Sequence, residues 1–107
     1  MKVINIFKFV ANASEELTKY ELKIGEAPTY EAARQIGNRM IGYIDCMITL
    51  SNGMICMENN EITPMLDELE QEWIVKTYQA MIDRATELEV DNEIIWNLMV
   101  RRDEYRA

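Results

Sequence analysis

The sequence predicts an all-α fold, a small bundle of three to four helices, on three observations. Apolar residues recur at alternating steps of three and four along most of the chain, the spacing of an amphipathic helix. Start and stop residues fall between these periodic stretches: Gly25 and Pro28, then Thr63-Pro64, then Asp91. With 49% apolar and 28% charged residues in 107, the chain lies in the globular range and is long enough to bury a core without metal or disulfide staples. The helices are expected at about residues 2–24, 30–50, 64–89 and 92–105, with 1–107 as one helical domain.

The first helix rests on Val3, Ile6, Val10, Ala13, Leu17, Tyr20 and Ile24, a continuous seam, with Gly25 as its C′ residue and Pro28 as a stop. The competing reading starts from "VINIFKFV", rich in strand formers. It gives an N-terminal strand over residues 2–10, then a helix capped at Asn12 with Glu15 closing a capping box.

The second helix opens at Thr29 and places Ala33, Ile36, Met40, Tyr43 or Ile44, Met47 and Leu50 on one side. Gly37 and Gly42 inside it each cost about 1 kcal/mol relative to alanine, so they mark close helix approach or weaken the helix. At "CMITLSNGMICMENNEI", residues 46–62, two structures compete. Either Asn52-Gly53 is a left-handed stop followed by an apolar linker, or the segment folds as a β-hairpin around 46–58, making the protein α+β.

The third helix carries the clearest signals: Thr63 as N-cap, Pro64 at the first helical position, and Asp67 and Glu68 near the positive end of the dipole. Leu66, Leu69, Trp73, Thr77, Ala80, Met81 and Leu88 share a face, and Ile74, Tyr78, Ile82 and Ala85 widen it. Only a narrow polar strip is left, with Glu68, Glu72, Lys76, Gln79 and Asp83. A helix so apolar around its circumference is expected to be central. In the fourth, capped by Asp91, the apolar face is Ile94, Ile95, Leu98, Met99 and Tyr105. Trp73 and Trp96 are both expected in the core, and Cys46 and Cys56 are expected as small buried hydrophobes with free thiols.

The net charge of −8 is unevenly spread. Residues 58–93 hold eleven acids against Lys76 and Arg84, a net of −9; the remaining eight acids and nine bases come to +1. Such a chain repels phosphate backbones, so direct nucleic-acid binding is not expected, and it steers a basic protein partner toward itself. No run approaches the roughly 18 apolar residues of a membrane span. The opening "MKVINIFKFVANAS" has the Ala11-x-Ala13 pattern of a signal peptide, but Asn5 and Lys8 interrupt its short apolar run. The expectation is a cytoplasmic protein.

Chemistry is sparse. The chain has no histidine, which excludes histidine-based triads and histidine metal sites, and two cysteines cannot complete a Cys₄ site. Its four glycines, Gly25, Gly37, Gly42 and Gly53, are scattered and form no phosphate cradle. Glu68 and Glu72, one turn apart, could offer oxygens to Mg²⁺ as in all-α NTP pyrophosphatases. Helix 1 supplies no matching acidic pair, so no cofactor and no enzyme activity are expected.

The expected function is that of a small acidic interaction protein that binds a basic protein surface through Asp67, Glu68, Glu72, Asp83 and Glu87, with Met54 and Met57 adding an apolar patch. Its concrete form is a phage-type inhibitor of a nucleic-acid-targeting host defence protein, such as a CRISPR nuclease, in which the acidic face mimics DNA. The alternatives are a homodimeric structural protein, adaptor or secretion chaperone, then a Mg²⁺-dependent hydrolase.

Overall fold

A computed structural model describes residues 6–55 and 62–106, with side chains over 10–49 and 67–106. Four helices follow one another: α1 (Ile6–Glu26), α2 (Tyr30–Ile55), α3 (Ile62–Glu87) and α4 (Asn92–Glu104). No strand occurs among the described residues, so the bundle is the observed architecture.

Both α+β features are thereby corrected where they can be seen. Residues 6–10 are helical, as are 46–55, so the proposed strand and hairpin do not form there; residues 1–5 and 56–61 lie outside the described residues. In each case burial along a helical seam outweighs local strand propensity. Ile44 and Ile48, one turn apart on α2, are both buried, and the helix runs on through Asn52-Gly53 to Ile55 instead of stopping there.

On α1 the predicted seam is observed: Ala13, Leu17 and Ile24 are buried, with Val10 and Tyr20 packed beside them. Gly25 is not a left-handed stop. It lies inside α1 with ordinary helical backbone, and α1 ends one residue later. The turn to α2 is held from outside. Arg84 of α3 donates from Nε (2.8 Å) and Nη2 (2.6 Å) to the Ala27 carbonyl, and from Nη1 to Glu87 at 2.9 Å. Thr29 then caps α2, its Oγ1 accepting from the Ala32 N–H at 3.2 Å.

The α2 seam runs through Ala33, Gly37, Met40, Ile44 and Ile48, with Met47 only half-buried. Gly37 faces Met81 of α3. A Cβ there would fall 3.0 Å from Met81 Cγ and 3.2 Å from its Cε. Gly42 would meet nothing described within 4 Å, so its glycine has no packing reason.

Central placement of α3 holds: it packs against α1, α2 and α4. Trp73, Ile74, Thr77, Tyr78, Met81, Ile82 and Ala85 are buried around it, and the buried Thr77 hydroxyl donates to the Trp73 carbonyl at 2.9 Å. The helix begins at Ile62, so Thr63 lies inside its first turn and not before it. Its end is a Schellman turn: the Val90 N–H bonds Ala85 O and the Glu89 N–H bonds Thr86 O, with Glu89 left-handed at φ 56°. Asp91 caps α4 as expected, accepting from the Glu93 N–H at 3.1 Å.

Among the described residues α4 packs on α3 alone, and this corrects the fate of Trp96. A helix with one neighbour buries one stripe, here Leu98 flanked by half-buried Ile94 and Ile95. Trp96, two residues before Leu98, points about 160° away and is 63% exposed. Met99 and Tyr105 are likewise at the surface. Cys46 is exposed rather than buried, because it lies two residues from the Ile44 seam on α2; Cys56 lies outside the described residues.

A candidate acidic interface along α3

The polar strip of α3 survives folding because most of the rest of the helix is covered. Glu68, Glu72, Lys76 and Asp83 are exposed and Gln79 is half-buried, all within a sector of about 80°. Glu87 continues the line at the C-terminal end, so the strip extends about 28 Å from Glu68 at 1.5 Å per residue. Asp67 is exposed too, but points about 140° away from Glu72, on the side of Tyr78 and Ala85. It does not belong to the strip. Of Met54 only the helical backbone is described, and Met57 lies outside the described residues.

Not every carboxylate on the strip is open. Glu72 pairs with Lys76 at 3.3 Å, one turn on, and Glu87 pairs with Arg84. Asp83 accepts from Gln79 Nε2 at 2.8 Å through Oδ1, and Gln79 in turn accepts through Oε1 from Arg102 Nη1 of α4 at 2.7 Å. Arg102, only 15% exposed at its side chain, is thus turned inward as a link between α4 and α3, besides bonding Asp103. Its partner Gln79 lies 23 residues away in sequence, so no local signal connects them.

Two concavities flank α3. One lies between α1 and α3, has a volume of about 330 Å³, and combines an apolar floor, Leu17, Trp73 and Ala80, with Glu21, Lys76, Gln79 and Asp83 at its edges. The other, about 1200 Å³, lies between the N-terminal half of α2 and α4, with Tyr78, Met81 and Leu98 facing it and Glu31, Arg34, Arg101 and Glu104 among its lining residues. Burial raises the Tyr30 phenol at its edge above the usual tyrosine range, so it stays a neutral hydrogen-bonding group there.

A third carboxylate group sits away from the strip. Glu70 is half-buried on α3, and desolvation first, then the charges of Asp45 and Asp67, raise its carboxyl above the ordinary value of 4.5. No cluster of three or more potential ligands able to hold a metal is found among the described residues. No helix of the described residues is long and apolar enough to cross a membrane. Trp96, Met99 and Val100, exposed together on α4, form the feature that sequence reasoning missed. A spacing of 96, 99 and 100 reads as a core stripe, and it is left exposed because among the described residues α4 has no second neighbour. No family model, no curated protein and no solved structure matches the chain.

Proposed function

We propose that this is a non-enzymatic interaction protein that binds a basic protein surface through the exposed strip of α3, centred on Glu68, Glu72 and Asp83. The observation that carries the reading is the position of that strip. The helix keeps four of its six acids, Glu68, Glu72, Asp83 and Glu87, on one solvent-facing line while α1, α2 and α4 pack against its other sides. Aligned carboxylates of one sign attract cationic surfaces and speed their encounter. In its concrete form the partner is a nucleic-acid-binding protein, for instance a phage-targeting nuclease, whose groove the strip occupies in place of DNA or RNA.

The test compares the wild-type chain with Glu68→Lys/Glu72→Lys/Asp83→Lys, each immobilised and exposed to the proteins of the source cell. Capture of basic proteins by the wild type, lost in the reversed chain and weakened on raising salt from about 0.1 M to about 1 M, supports the reading. A captured set that charge reversal leaves unchanged overturns it. One observation favours a second reading, a homodimer: Trp96, Met99 and Val100 lie exposed together on α4. Light scattering coupled to size exclusion separates the two, since apolar burial survives high salt and charge steering does not.

A further inference from the structure

The cleft between α1 and α3 is lined by small side chains from both helices. Ser14 and Thr18 come from α1 and Ala80 from α3, and the space, about 330 Å³, is near the lower end of about 300–1,000 Å³ typical of ligand sites. A helix, about 10 Å across with its side chains, cannot enter it, whereas one long side chain can.

Its lining is two-sided in chemistry. The apolar part is Leu17, Ala80 and the otherwise buried Trp73; the edges carry Glu21 from α1 and Asp83 from α3. Lys76 is also at the edge, but its ammonium is engaged by Glu72. Glu21 has no ion pair among the described residues. Asp83 is oriented through Oδ1 by Gln79, itself held by Arg102, so its second oxygen remains available to a ligand. An apolar slot with carboxylates at its mouth complements a side chain with an aliphatic stem and a cationic head. The indole adds attraction for a cation passing over it.

We propose that this cleft receives one arginine or lysine side chain of the basic partner, with its head between Glu21 and Asp83 and its stem along Leu17, Trp73 and Ala80. The inference rests on the reading of a basic partner and names the anchor that fixes register along α3, which aligned charges alone do not provide.

The experiment uses the full chain carrying Trp96→Phe, so that Trp73 is the sole tryptophan, titrated at low ionic strength with hexa-arginine. The expected result is a saturable change in Trp73 emission. Glu21→Gln/Asp83→Asn should weaken it about tenfold or more. Ala80→Met and, from the other wall, Ser14→Leu should weaken it comparably while leaving net charge untouched; thermal melts verify that each is folded. Glu26→Gln, outside the cleft, should change affinity less than about twofold. Affinity that follows net charge wherever it is removed, and ignores both filling substitutions, overturns the cleft while leaving a basic partner standing. Failure of the wild type to bind the peptide at all overturns both.

Discussion

Gly37 and Gly42, five residues apart on α2, show how one residue type acquires opposite meanings from its surroundings. At Gly37 an added methyl would press on Met81, which is almost fully buried and has little room to withdraw. Gly37→Ala is therefore expected to destabilise by about 1–3 kcal/mol, the usual cost of overpacking, despite the better helix propensity of alanine. At Gly42 no described atom opposes the methyl, and Gly42→Ala should stabilise by about 0.5–1 kcal/mol. Denaturant midpoints of the two variants check both signs. Glu70 supplies a pH dependence. Its folded-state carboxyl titrates above the ordinary 4.5, so between the two values the native state holds a proton that the unfolded state has lost. Stability thus falls as pH rises through that window, and the penalty is complete above it. Glu70→Gln should be more stable than the wild type at pH 7, the difference vanishing once the pH drops well below 4.5, as urea unfolding across pH would record.

Among the elements, the seams of α1 and α3 were legible because their periodicity needs no knowledge of partners: Ala13, Leu17 and Ile24, like Trp73, Thr77 and Met81, are buried where their spacing places them. Helix ends were read less well. Gly25 and Gly53 look like stops, yet glycine only permits a left-handed residue and does not impose one. The left-handed residue observed is Glu89, whose strain is outweighed by the turn that Val90 completes against Ala85. In α4 the spacing of apolar residues told how many there were, but not which would find a neighbour. Leu98→Ala should destabilise by about 2–4 kcal/mol, because Leu98 is the side chain buried against α3, whereas Trp96→Ala should shift stability by less than about 0.5 kcal/mol. Melting curves that rank the two the other way would place α4 with its opposite face on α3.

For the molecule as a whole, shape explains why a chain half apolar still exposes tryptophan. The Cα envelope measures 50 × 26 × 16 Å, long and thin, so among the described residues only α3 has three helical neighbours. Two links that draw the helices together span large sequence distances: Arg84 to the Ala27 carbonyl and Arg102 to Gln79. Each turns a base that sequence reasoning counted as surface charge into a structural donor. The acidic strip was legible as composition and periodicity; its division into paired carboxylates, such as Glu72, and available ones, such as Glu68, depends on rotamers and neighbours that no spacing encodes.

By itself the sequence determined the helical class, the seams, the cap at Asp91, and the confinement of negative charge to α3 and its flanks. These depend on properties local to a few turns: side-chain periodicity, hydrogen bonding of short polar residues to nearby N–H groups, and the order of charges along the chain. Tertiary structure alone decided that Gly37 is a contact and Gly42 is not, that Trp73 is covered while Trp96 is bare, and that Ser14, Thr18 and Ala80 leave a cleft edged by Glu21 and Asp83. Those outcomes depend on which helices become neighbours, and a side chain's burial is set by the surface brought against it as much as by its own chemistry.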